Sequence, residues 1–315
     1  MESIQNIKRR LRGVKNISQI TKAMELVAAT KMRRSQEIAL ASRPYALTAL
    51  DLLGNLSRLE SEKALPELLT KRQVKKTAVV LVTSDKGLAG AFNANVLRQF
   101  EKFLRQEKIK GDDPANSFIA VGQKAAGYLE RRAFNLERKF VRVGDYTTLE
   151  EVKPIADFLT AGYLSGKWDR VIVFSTHFRT ALRQEVLLRQ VLPVELENLR
   201  RTAQEIIPEH GRFSELVRER RISYFNERPA AEYLFEPSPP EVLAVLAEYL
   251  VIMQVYHLIL EANASEHAAR RIAMKNASDN AAELAGKLTL EYNKSRQAAI
   301  TKEIVEVVAG AEALS

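Results

Sequence analysis

The chain has 315 residues, 46% of them hydrophobic, and a formal net charge of +9; that is enough for one large or two small packed domains and sets disorder aside as the default. The basic balance points to acidic partners, a description that nucleic acid, an anionic membrane face and acidic protein surfaces all satisfy. The absence of cysteine excludes disulfides, thiolate metal sites and cysteine nucleophiles.

In chain order, the opening MESIQNIKRRLRG lacks the unbroken apolar core of a signal peptide, and no later window reaches the roughly 18 apolar residues of a membrane span. A long helix is expected from about Glu2 to near Arg43, just before the first proline, Pro44. Ile4, Ile7, Leu11 and Val14 alternate spacings of three and four, the narrow seam of a coiled coil. Ile17, Ile20, Met24 and Val27 extend that seam with a slip in phase. A helix of roughly forty residues runs some 60 Å, more than a compact domain covers, so it is expected to project and to need a partner helix.

From about Thr77 to Glu195 the pattern changes. KTAVVLVTS, NSFIAVG, RKFVRV, DRVIVFSTHF and LLRQVLPVE read as strands. Ala91–Lys108, Gln123–Arg132 and Leu149–Gly166 read as helices between them. This alternation predicts an open, Rossmann-like α/β sheet with mainly parallel strands. The turn SDKGLAGAFN imitates a phosphate loop, but neither a dinucleotide fingerprint nor a P-loop pattern is present, so it reads as structural or as a partner contact. The charged stretch near residues 197–228 reads as an insertion that forms a surface helix, a solvated hairpin or a flexible arm.

A second long helix begins at SPPE, with Ser238 as cap, Pro240 in the first turn and Glu241 at capping-box spacing, and meets no further proline. Val242, Leu243, Leu246, Tyr249, Leu250, Met253 and Tyr256 give it a broad face suited to packing on the sheet. Further on, Met274, Ala277, Ala281, Leu284 and Leu288 form a narrow seam with small residues. The two terminal helices are thus expected to pair as an antiparallel coiled coil, giving parts at 1–60, 75–235 and 238–315. In the last stretch, Ile304, Val305, Val307, Val308, Ala309, Ala311, Ala313 and Leu314 cover most of the helix circumference. A helix apolar all round is normally buried, and this one outruns its partner, so another molecule must cover it.

RRLRGVKNISQITKAMELVAATKMRRS, SDKGLAGAFN, SEHAARRIAMKNASDNA and YNKSRQAAITKEIVEVVAGAEA resemble the gamma subunits of F-type ATP synthases. The terminal pattern Ile300, Thr301, Glu303, Glu306, Gly310 and Ala311 is similar to the family's signature in order and spacing. The resemblance implies a central rotor stalk inside a ring of three alpha and three beta subunits. Its α/β domain and the epsilon subunit would be seated on the membrane c-ring, and rotation would couple proton flow to ATP synthesis. It further implies a non-catalytic subunit without cofactor, peripheral on the cytoplasmic side of the bacterial plasma membrane. Arg296, Gln297 and Thr301 correspond to positions that bond to a beta-subunit loop, and Met24 and Lys86 to positions facing acidic beta levers. Where the family usually has arginine before a Gly-Leu-Cys-Gly run, this chain has Lys86 and Ala89, keeping the charge but losing bidentate pairing. The cysteine-bearing regulatory loop of chloroplast members is missing, so thiol control is not expected.

Two other readings compete. The cations Lys8, Arg9, Arg10, Arg12 and Lys15 suit a nucleic-acid-binding coiled coil, but no aromatics interleave with them for base stacking. An enzyme of flavodoxin-like architecture would hold a ligand at its strand ends. Against that, His177, His210, His257 and His267 lack metal-ligand spacing, and no nucleophile-elbow sequence occurs.

Overall fold

The computed structural model describes residues 3–41, 66–195 and 236–312. The charged insertion near 197–228 and the end of the proposed 1–60 segment lie outside these. The elements are α1 (Ile4–Ala41), β1 (Thr77–Val82), α2 (Phe92–Gln106), β2 (Asn116–Val121), α3 (Gln123–Arg131), β3 (Leu136–Phe140), α4 (Leu149–Leu164), β4 (Arg170–Phe178), β5 (Gln184–Leu192) and α5 (Pro239–Glu312). The chain divides into two compact units, Met1–Ala29 with Arg270–Ser315, and Thr30–Ala269.

In the larger unit the strands lie in the order β3-β2-β1-β4-β5. β1 is parallel to β2 and β4, β2 is parallel to β3, and only β5 runs antiparallel, against β4. The expected open, mainly parallel sheet is therefore present. Alternate side chains of β1 leave on opposite faces. Val79 and Leu81 join Phe100, Phe118, Leu129 and Phe174 under α2 and α3. Ala78, Val80 and Val82 join Ile155, Leu159, Leu243 and Leu250 under α4 and α5. Covered on both faces, β1 has no polar side to alternate with, which is why it reads as one apolar run.

Strand β3, LERKF, starts before the expected RKFVRV and covers only its first half. It stops at Phe140 because Arg142 turns left-handed at φ 62°, and its N–H donates to Asp85 Oδ2 at 2.9 Å. At α5 the expected capping box takes another form: Ser238 Oγ donates to the Glu241 carboxylate at 2.8 Å. Pro239 and Pro240 open the helix and carry no N–H, so two of the amides a cap would serve do not exist. The full reciprocal box occurs instead at α4, between Thr148 and Glu151.

Beside α4, Trp168 is buried, its Nε1 donating to Leu159 O at 3.0 Å. A Cβ added at Gly162 would lie 1.9 Å from the Trp168 ring. Gly162→Ala is therefore expected to destabilise the chain by about 1–3 kcal/mol, read as a lower urea midpoint at unchanged slope. An unchanged midpoint would mean that the indole has room to move.

By composition alone, α5 contains a stretch apolar enough to cross a membrane, contrary to the sequence reading. That stretch is 61% buried inside the protein, and packing on the sheet accounts for its composition. Along this stretch of α5 sits a set of polar exceptions. His177 Nδ1 lies 2.8 Å from Glu261 Oε2, with both side chains buried. Gln254 Nε2 donates to Gln190 O at 3.3 Å, and Ser265 Oγ donates to Thr176 O at 3.3 Å. Asn263 Nδ2 donates to Gly144 O at 3.1 Å and to Thr147 Oγ1 at 2.6 Å. His267 Nε2 lies 3.4 Å from Asp145 Oδ1. Lys31 of α1 pairs with the other Asp145 oxygen, and Ser35 Oγ donates to Asp145 O at 3.4 Å.

Burial acts to raise the pKa of Glu261, but the hydrogen bond and charge of His177, with the charges of Arg189 and His257, bring it below the ordinary 4.5. At Asp145 burial is likewise outweighed by Lys31, His267 and Lys86, which hold it below 3.8. A carboxylate depressed on folding adds stability above its unfolded value and loses it as pH falls toward the folded one. The thermal midpoint is thus expected to drop by several degrees between about pH 5 and pH 3. Glu261→Gln should flatten that slope, and an equally steep acid limb in the variant would assign the effect to other carboxylates.

In the smaller unit the N-terminal and C-terminal helices pair as the expected antiparallel coiled coil. Ser18 Oγ donates to Ser278 O at 3.5 Å, and Ser278 Oγ donates to Ser18 O at 3.4 Å. Contact this close between helices needs small residues on both sides. The phase slip expected at Ile17 does not occur. The inward-facing residues are Ile4, Ile7, Leu11, Val14, Ser18, Thr21, Glu25 and Ala28, partly or fully buried throughout, and their spacing alternates three and four without a break. The apolar pattern slipped because small and polar residues took over the same seam. On the C-terminal side the inward positions are Met274, Ser278, Ala281, Ala285 and Leu288, with Leu284 turned to solvent.

Candidate partner-contact surface

Two surfaces of the smaller unit are apolar and open. Ile17, Ile20, Leu26 and Val27 are each more than half exposed. Ile17, Ile20, Met24 and Val27 form a stripe one position before the buried seam, so the C-terminal helix covers only one side of α1's apolar face. Met24 is half-buried at the margin of this stripe.

The second surface is the end of α5. Carried in antiparallel register from Ser18 and Ser278, α1 runs out near Tyr292, and burial follows: Leu288 is 3% exposed, whereas Ile300, Ile304, Val305, Val307 and Val308 range from 47% to 72%. The described side chains from Ile300 to Ala309 are all exposed. Ile300, Ile304, Val305, Val307 and Val308 share one broad side of this uncovered helix, with Lys302, Glu303 and Glu306 on the other, and an open apolar band of this size is one that monomeric proteins rarely tolerate. Arg296, Gln297 and Thr301 stand at the start of this tail and are exposed. Arg296 has no ionic partner among the described residues. Thr301 Oγ1 donates to Gln297 O at 2.9 Å, the ordinary back-bond of a helical threonine, which leaves its lone pairs free to accept. Met24 is far along the coiled coil from these three; its antiparallel level is near Ile272, roughly 40 Å of helix away from Thr301.

Lys86 belongs to the larger unit, in the turn between β1 and α2. Asp85 accepts from the N–H groups of Gln123 and Arg142, both at 2.9 Å. Ser84 O accepts from Lys124 N at 3.1 Å, and Thr83 Oγ1 accepts from Ala125 N at 2.8 Å. The amides at the start of α3 are thereby occupied by this turn. Behind the tip, Asn93 and Ser84 bond to each other. What reaches outward is Lys86, Gly87 and Leu88, with Leu88 at φ 62° and 64% exposed. Sequence reasoning passed over Leu88; its signal was a lone large apolar residue between turn glycines.

A family model described as ATP synthase matches residues 3–314. The ATP synthase gamma chain of Roseiflexus castenholzii is 40% identical over 316 residues, spanning 100% of this chain and 99% of that one. This chain belongs to the ATP synthase gamma-chain family. The gamma chain of Moorella thermoacetica is 38% identical over 314 residues, with 100% of both chains covered. In fold it is similar to a chain of the Euglena gracilis mitochondrial ATP synthase, solved with OSCP, F1 and c-ring, at TM-score 0.61 and 20% identity, covering 99% of this chain and 94% of the other. A chain of the Tetrahymena thermophila central stalk and c-ring gives TM-score 0.56 at 23% identity over 82% of this chain and 99% of the other. As a gamma-chain family member it is a central rotor stalk subunit that works within a membrane-associated ATP synthase complex. The nucleic-acid alternative is set aside in favour of that assignment.

Proposed function

We propose that this chain is a non-catalytic shaft that turns inside a ring of three alpha and three beta subunits. The observation that carries it is the exposed apolar tail of α5, a helix end that needs a surrounding sleeve. The segments 1–60 and 238–315 form the shaft. The 75–235 domain, with its charged insertion near 197–228, carries the epsilon subunit and rests on the c-ring, peripheral on the cytoplasmic side of the bacterial plasma membrane. Coupling works through shape: an asymmetric shaft in a threefold ring touches each beta subunit differently, and only differential contact can hold three chemically equal sites in different states. Arg296, Gln297 and Thr301 bond to a beta-subunit loop at the mouth of the sleeve, while Met24 and Lys86 face acidic levers. The buried histidines support a structural inventory rather than a catalytic one, since His177 and His267 face Glu261 and Asp145; His210 lies outside the described residues.

Mixing the chain with alpha and beta subunits is expected to give a large complex and ATPase activity together. If neither forms, the rotor reading fails.

A further inference from the structure

The polar contacts on α5 lie on two opposite sides of the helix, and their angular placement carries the inference. At 3.6 residues per turn, Gln254, Glu261 and Ser265 fall within about 20° of one line, whereas Asn263 and His267 fall about 180–220° around from it. The first three reach the sheet, at Gln190 of β5 and at His177 and Thr176 of β4. The other two reach the loop Gly144–Thr147 between β3 and α4. The same loop is held by Lys31 and Ser35 of α1 through Asp145. The helix is therefore gripped from both sides inside one unit, and one of the grips also engages the other long helix.

We infer that this collar, Gln254, Glu261, Asn263, Ser265 and His267, is a rotational lock that fixes the azimuth of α5 on the sheet under torque. The inference rests on the rotor reading. Its physical basis is the contrast with the contacts around it. Leu250, Val251, Val255, Leu258, Ile259 and Ala262 give α5 a wide apolar face, and apolar burial is non-directional. Such a face settles at a neighbouring azimuth at little cost. Hydrogen bonds weaken steeply when misaligned, and turning α5 by one position would set the Glu261 carboxylate against apolar neighbours without His177. A buried charge stripped of its partner is strongly disfavoured, so rotation is opposed most at this level. A buried ionic pair that fixes register, rather than adding much net stability, is the best-attested use of such pairs.

The test uses the complex of this chain with alpha and beta subunits. Because the chain has no cysteine, Lys102→Cys on the exposed face of α2 gives a single attachment point for a bead on the larger unit. Asn263→Ala and the double variant Glu261→Gln with Asn263→Ala are compared with the parent. ATPase activity is expected to stay within about two-fold, while the stall torque delivered to the bead falls roughly three-fold in the double variant and less in the single one. Unchanged torque in both variants overturns the lock, as does a fall in torque matched by an equal fall in ATPase, which would report damaged assembly. Asn263→Ala keeps the buried ion pair and so provides the comparison if the double variant folds poorly. A parent complex that hydrolyses ATP without turning the bead would overturn the rotor reading itself, a result distinct from failure of the lock.

Discussion

Removing residues 304–315 is expected to weaken seating in the alpha/beta ring by about two orders of magnitude. Ile304, Val305, Val307 and Val308 are all more than half exposed in the isolated chain, so their deletion costs the chain itself little. In a sleeve each would contribute about 1.5–3 kcal/mol on full burial. The gross loss is then roughly 6–12 kcal/mol, of which the cost of ordering and imperfect fit leaves only a part. A net loss of about 3 kcal/mol corresponds to a hundred-fold change in Kd. Titration of labelled chain into preassembled alpha/beta ring measures it directly, with circular dichroism of the free variant as the folding control. Equal affinity of the full and shortened chains would show that the sleeve grips elsewhere, for instance along the Ile17–Val27 stripe.

Glu261→Ala should be among the most destabilising single substitutions in the larger unit. The carboxylate is buried and faces His177, with Arg189 and His257 close enough to lower its pKa. Alanine removes the carboxylate that His177 faces in a buried setting, and breaking a buried pair from one side typically costs about 3–5 kcal/mol. In a unit of this size that is a fall of roughly ten degrees in melting temperature. Glu261→Gln keeps the volume and an acceptor and should lose distinctly less. A melting temperature within a degree or two of the parent for Glu261→Ala would show that the histidines and Arg189 are served by other groups.

The α/β sheet was legible because β1, β2 and β4 are short apolar runs flanked by amphipathic helices, and that pattern has few alternatives. The pairing of the two termini was legible from Ile4, Ile7, Leu11 and Val14. The seam beyond Val14 was misread, since a contact made by Ser18, Thr21 and Ser278 carries no hydrophobic signal. The apolar residues beside it, Ile17 and Ile20, are turned outward, so hydrophobicity there marks a surface awaiting a partner. Periodicity cannot separate those two meanings on one helix. The tail was legible for the same reason reversed: a helix with a broad apolar side and no partner left in the chain to cover it admits few readings. The collar on α5 was hidden, because Glu261, Asn263 and His267 gain their roles only from residues far away in sequence, such as Gly144 and His177.

The uncovered end of α5 also bears on the life of the chain before assembly. An unassembled copy presents Ile300, Ile304, Val305, Val307 and Val308 to water, the kind of surface that self-associates and that cellular quality control removes. The ring that makes the tail useful also shields it. Copies made in excess of alpha and beta subunits are therefore the ones exposed to removal, and the stoichiometry of the assembly is policed by the same ten or so residues that seat it.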